Sequence, residues 1–390
     1  MTSVFDALPG VEIPPGEIAK KLAHMWSAAE AQSADSGASP EGGQNAADGG
    51  SAQAAAASSS GADDATATQV NFVLHLGLPT TPADAVEQFQ TLLRFSKRYP
   101  SRMVILCPQS DAEDKGGMEI RAKIYGECHY GKSHSDKRCV EVVVLDYSRA
   151  ARGFLENQVS ISLSTDLPLY YWAHRFSASS RLADYRFLLS RAERVLIDSA
   201  TAPEDALTYP WPRLEALRDL AYARLLPVRQ TVGQFLAGYA PELIVAGLQT
   251  VRVRHSASLA GEARVISQWL RERVEHCQAA GQGGSSRQSG DSAPDSDTQP
   301  AAKSLGAESN SSGQGLPSPR YILERDASGE SDGITIEFQY AQPEKYFRWT
   351  GDFGRSHACF AARLDDAQAQ LDAPLKPLPP ELALSEAMFF

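Results

Sequence analysis

The side chains best suited to chemistry crowd into one short stretch. Gly126-Glu127-Cys128-His129-Tyr130-Gly131-Lys132-Ser133 satisfies the pattern G-x-x-x-x-G-K-S, in which backbone N–H groups cradle phosphates and the lysine meets their charge. Val142-Val143-Val144-Leu145-Asp146 follows, resembling the apolar strand that ends in a magnesium-binding aspartate. The geometry behind the pattern argues against it. A phosphate cradle needs its lysine to open a helix whose N–H groups and dipole face the ligand. Here His134-Ser135-Asp136-Lys137-Arg138-Cys139 comes next, with no apolar helical stripe. The eight residues between Ser133 and Val142 are too few for a parallel crossover, which takes roughly 10–12 or more. The spacing predicts a β-hairpin loop.

The same loop holds Cys128, His129, His134 and Cys139, four soft ligands close enough together to close a zinc site. Their spacing is not that of a zinc finger or ribbon. Neighbours Cys128 and His129 would also point to opposite faces of a strand. Ordinary hairpin residues are therefore the preferred reading, and a Cys128–Cys139 bridge across paired strands is geometrically open. Elsewhere there is no H-E-x-x-H, and Leu76-Gly77-Leu78-Pro79 lacks the glycine fingerprint of a dinucleotide site. No pattern calls for a cofactor. Asp146, Asp166 and Asp198 each fall near a predicted strand end, where α/β sites gather, although caps and turns account for most aspartates so placed.

The elements that would position these residues alternate. Residues 70–76 read as a strand carrying His75, and 81–98 as a helix with Thr81 as cap and Pro82 in its first turn. Residues 102–107 read as a buried strand, which makes a βαβ unit and a parallel pair. Strands are predicted at 118–130, 138–147, 168–172, 194–197 and 248–255, and helices at 14–30, 151–162, 179–191, 212–226, 228–236 and 258–277, the last with Ser258 as its cap. After these come strands at 320–324 and 334–340 about a turn, a third at 347–349, and a short docking helix at 379–390. Residues 31–68 and 278–318 are low in apolar side chains and rich in Ala, Ser, Gly, Asp and Gln. Such segments bury too little surface to offset their ordering entropy and read as disordered inserts.

The fold class is thus α/β: a mixed sheet flanked by helices, in two lobes, with two long disordered inserts. The division is an N-terminal helix (1–30), an insert (31–68), a first lobe (69–165), a second lobe (166–277), a second insert (278–318) and C-terminal strands with a short helix completing the second lobe (319–390). The chain has 390 residues and a formal net charge of -11, an acidic balance that argues against nucleic acid. No basic leader opens it and no stretch of about 18 apolar residues could cross a membrane. Five scattered cysteines suit reduced thiols and a cytoplasmic setting.

Three stretches, taken in order, resemble one family. They are Tyr99-Pro100-Ser101-Arg102, Asp166-Leu167-Pro168-Leu169-Tyr170-Tyr171-Trp172, and Arg218-Asp219-Leu220-Ala221-Tyr222-Ala223-Arg224-Leu225-Leu226-Pro227-Val228-Arg229. Their order and spacing are similar to those of the glucose-6-phosphate dehydrogenase assembly protein family, OpcA. The chain departs from that pattern at Tyr99, where histidine is usual, and at Tyr171, Tyr222 and Val228, where tryptophan is common.

The resemblance implies a non-enzymatic partner of glucose-6-phosphate dehydrogenase that favours its active oligomer or sharpens its response to substrate. Such an effect cannot exceed the protein's differential affinity for the two states of its partner. Aromatic and arginine side chains are the usual interface anchors, which points to Tyr170, Tyr171, Trp172, Arg224 and Arg229. The competing reading makes the aromatics core and pairs the arginines internally with Asp219 or Asp166. Cyanobacterial relatives are linked to thioredoxin through C-terminal cysteines. The last third of this chain offers only Cys277 and Cys359 for that role, so thioredoxin is the weaker partner candidate. The rival function is an enzyme or sensor that binds a nucleotide or phosphorylated metabolite through loop 126–133 or the arginines of 218–229.

Overall fold

The computed structural model describes residues 2–24, 69–110, 113–114, 116–130, 137–283, 318–326 and 332–390. The chain divides into two compact units: Met1–Ala173 with Asp184–Glu193, and His174–Ala183 with Arg194–Phe390. Insert 31–68 lies outside the described residues. Of insert 278–318, residues 278–283 continue the preceding helix and 284–317 lie outside them.

In the first unit, β1 (Val11–Ile13), β2 (Val70–Leu76), β3 (Ser101–Pro108), β4 (Ile120–Tyr130), β5 (Lys137–Tyr147) and β6 (Leu169–His174) lie in the order β1-β4-β5-β3-β2-β6. β2 and β3 are parallel, as are β3 and β5. β4 and β5 form the antiparallel hairpin that the loop spacing predicts, and β1 pairs antiparallel with β4. Every residue of β2 is buried, as befits a strand covered on both faces. The crossover helix Pro82–Ser96 starts where Thr81 Oγ1 accepts the Asp84 N–H at 3.2 Å. It packs Phe95 on Phe72 and Phe89 on Tyr125. Of helix 14–30, Pro15–Glu17 forms a 3-10 turn and 18–24 an α-helix, and 25–30 lie outside the described residues.

In the second unit, β7 (Arg194–Ile197) and β8 (Leu217–Asp219) are parallel. A six-stranded sheet follows the order β10-β9-β11-β12-β13-β14, built from β9 (Leu248–His255), β10 (Arg320–Arg325), β11 (Gly333–Tyr340), β12 (Tyr346–Asp352), β13 (His357–Arg363) and β14 (Ala369–Pro374). Its inner face sets Val253, Ile336, Phe338, Trp349 and Phe360 against Ile266, Leu270 and Val274 of the helix Ala260–Gly283. Each large apolar side chain so buried contributes roughly 1.5–3 kcal/mol. Gly351 leaves room there: a Cβ would meet the Trp349 ring at 2.3 Å.

Three sequence expectations are corrected here. Strands 320–324 and 334–340 are not each other's partners, because β9 lies between β10 and β11. The helix expected over 212–226 divides into a 3-10 turn (Leu214–Ala216), β8 and a short helix (Leu220–Arg224). Ser258 sits in the 3-10 turn Ala257–Leu259, its hydroxyl bonded to Asp332 and Ser256, and the long helix begins after it.

Candidate functional site

The first unit has a buried polar centre. His75 stands one residue from the end of β2, fully enclosed. Its Nδ1 lies 2.7 Å from the Tyr171 hydroxyl on β6, and its Nε2 lies 2.8 Å from the Tyr147 hydroxyl at the end of β5. The Tyr147 hydroxyl in turn meets that of Tyr185 at 2.6 Å. Burial, then the Arg152 charge, pushes the His75 pKa down to about 3, so the ring is neutral at neutral pH. One nitrogen donates and the other accepts, and the hydroxyls orient to match. Burial also raises Tyr147 and Tyr171 well above their ordinary range. The imidazole is thus neutral, fully enclosed and bonded at both nitrogens to tyrosine hydroxyls.

This centre fixes the second family-like stretch. Asn71 Nδ2 donates to the carbonyls of Ser164 (2.7 Å) and Leu167 (3.2 Å), and its Oδ1 accepts the Ser164 N–H at 3.0 Å. The lead-in to β6 is thereby pinned to β2. Tyr170, Tyr171 and Trp172 are 6%, 0% and 4% exposed, so all three serve the interior. In the first family-like stretch, Arg102 Nε reaches Glu141 at 2.5 Å, the residue opposite it on β5.

In the second unit the stretch Arg218–Arg229 begins on β8. The Arg218 guanidinium is buried and donates to the carbonyls of Glu215 and Leu217, both at 2.8 Å. Asp219 caps the helix Leu220–Arg224 by accepting the Ala221 N–H, and accepts the Ser199 N–H as well, both at 3.0 Å. Burial, then the charge of Asp198, raises its pKa to about 6. Arg224 grips both oxygens of Asp198 at 3.0 and 3.1 Å and Glu262 at 2.7 Å. It therefore ties the end of β7 to the start of the helix Ala260–Gly283. Leu225 is the elbow, and the next helix, Leu226–Leu236, carries Pro227 in its first turn. Arg229 stacks on Tyr222, its guanidinium carbon 3.6 Å from the ring centroid, and is half-buried.

The hairpin loop is corrected on two counts. Cys128 and Cys139 face each other across β4 and β5 and form a disulfide. The chain is not free of bridges, and these sulfurs are not thiolates for zinc. His134 lies outside the described residues, as do Gly131, Lys132 and Ser133. Gly126 to Tyr130 run along β4, where a phosphate cradle would require a turn. Among the described residues no group of three or more His, Cys, Asp or Glu is placed to hold a metal ion, and no helix is long and apolar enough to cross a membrane. Asp146 accepts from Gln109 at 2.8 Å, with its pKa raised to about 6 by burial against that bond's opposing pull.

Sequence reasoning left His75 as an ordinary sheet histidine and did not foresee its tyrosines. Its one signal was a histidine inside an otherwise apolar strand, V-N-F-V-L-H-L, since a buried imidazole demands partners.

Residues 94–209 match the family model described as "Glucose-6-phosphate dehydrogenase subunit N-terminal domain". The match takes in two of the three family-like stretches, 99–102 and 166–172, and stops before 218–229. No curated protein matches the chain. Among solved structures, a glucose-6-phosphate 1-dehydrogenase crystal structure from Mycobacterium avium is similar at 10% identity, over 82% of this chain and 86% of that one. The TM-score of that pair is 0.43.

Proposed function

The chain carries an OpcA-family domain over residues 94–209, and from that premise we propose that it is a non-catalytic assembly factor of glucose-6-phosphate dehydrogenase. It binds the enzyme, favours its active oligomer and so activates the oxidative pentose phosphate route in the cytoplasm. The observation that carries this reading is the family match itself. The site geometry is in keeping with it. The conspicuous polar groups, His75 with its tyrosines and Arg224 with its carboxylates, are turned inward and bonded to one another, which suits a scaffold.

The five candidate anchors remain proposals for partner contact, and their exposure ranks them. Arg229, half-buried and stacked on Tyr222, comes first. Arg224 is engaged with two carboxylates. Tyr170, Tyr171 and Trp172 would have to leave the core. The test is co-sedimentation of the purified chain with the dehydrogenase from the same source. We expect a heterocomplex and a larger share of the dehydrogenase in its higher oligomer. Independent sedimentation of the two proteins would refute the reading.

A further inference from the structure

The six-stranded sheet of the second unit has an inner face against helices and an opposite, open face. The strand register assigns Arg252 of β9, Glu337 of β11 and Arg348 of β12 to one row across the open face, with Arg254 two positions along β9. The Glu337 side chain is 8% exposed and holds two guanidiniums at once: Oε2 is 2.6 Å from Arg254 and Oε1 is 2.8 Å from Arg348. The two arginine side chains are 43% and 60% exposed. One carboxylate neutralises only one of two cations. Each guanidinium has five N–H donors, and the Glu337 contact uses one donor nitrogen on each. Arg252, opposite Glu337, reaches Glu324 on β10 at 3.6 Å.

Antiparallel sheets commonly leave one face to water, so an open face alone implies nothing. This one differs because a buried acid fixes a pair of arginine heads in advance, with positive charge left over, in a chain whose formal net charge is -11. A guanidinium already held loses little rotamer freedom on docking, and its planar fork matches a carboxylate in bidentate fashion. A sheet face offers breadth, whereas sites for small anions are concave.

We propose that this open face docks a protein surface carrying clustered carboxylates, with the Arg254–Arg348 pair receiving one of them. Resting on the function proposed above, that surface belongs to the dehydrogenase. The test measures affinity of the full chain for the dehydrogenase by titration calorimetry, for wild type, Arg348→Glu, Arg348→Gln and the control Arg355→Gln, whose side chain is 87% exposed in the turn after β12. Circular dichroism checks folding, and Arg348→Gln carries the test if the glutamate variant does not fold. Arg348→Glu is expected to weaken binding by about tenfold or more, and wild-type binding to weaken as salt rises from about 50 to about 300 mM. The control should bind as wild type does.

Folded Arg348 variants that bind within about twofold of wild type would overturn the docking face while leaving the function standing. A wild type that does not bind at all would overturn both. Inorganic phosphate that binds wild type but not Arg348→Glu, with dehydrogenase affinity unchanged, would make the face a small-anion site and overturn the proposal.

Discussion

Burial takes His75 out of the physiological titration range. Its pKa falls from 6.5 unfolded to about 3 folded, so the unfolded chain binds the extra proton between those values. The stability His75 contributes is full above pH about 6.5 and is lost as pH falls toward 3. Proton NMR should show no His75 titration between pH about 8 and 5, and a midpoint near 6.5 would contradict its enclosure. Tyr171→Phe strands one imidazole nitrogen and should cost about 1–3 kcal/mol in chemical denaturation at neutral pH. Arg224 is the corresponding node of the second unit. Arg224→Glu faces Asp198 and Glu262 with a third carboxylate and should cost about 3–5 kcal/mol, or prevent folding. Arg224→Lys keeps the charge but not the bidentate grip, and should fall between. A fully stable Arg224→Glu variant would place this arginine's role outside folding.

At the scale of elements, legibility followed locality. β2, β3, the β4–β5 hairpin and the helices Pro82–Ser96 and Ala260–Gly283 were readable because their apolar runs lie within each segment, and Thr81 caps the first of the two helices. β8 was missed because three residues, Leu217-Arg218-Asp219, sit between helical turns, too short for a period to show. β13 was missed because its inward positions are Ala358, Phe360 and Ala362, and alanine carries little hydrophobic signal. The insertion of β9 between β10 and β11 is a long-range pairing that no local pattern encodes. His75 draws partners from 72 and 96 residues away, so the polar centre was invisible to spacing. The Cys128–Cys139 pair was within reach, since hairpin register alone set the two opposite each other.

Two predictions belong to this scale. A Cβ at Gly261 would stand 2.3 Å from the Ala200 Cα. Gly261→Ala should therefore push the helix Ala260–Gly283 off the turn after β7, at a cost of about 1–3 kcal/mol by thermal denaturation. The disulfide closes a loop with a sequence separation of 11, so Cys128→Ser with Cys139→Ser should lose about 2–3 kcal/mol. Thiol titration of the unreduced, denatured chain should find Cys107, Cys277 and Cys359 free and the other pair unreactive. Five reactive thiols would contradict the bridge.

Among the described residues, His75 and Arg224 are bonded within their own units, and the six-stranded sheet leaves Arg254 and Arg348 partly exposed. On the proposed function, the chain would act through the state of its partner that it prefers, within the bound set by that preference. The direct test is the initial rate of the dehydrogenase from the same source, at glucose-6-phosphate below its half-saturating level, with and without a molar excess of the purified chain. The account predicts a rate increase of about five- to a hundredfold, the range of ordinary coupling energies, that fades at saturating substrate, with no NADP reduction by the chain alone. An unchanged dehydrogenase rate across a full titration of the chain would contradict it.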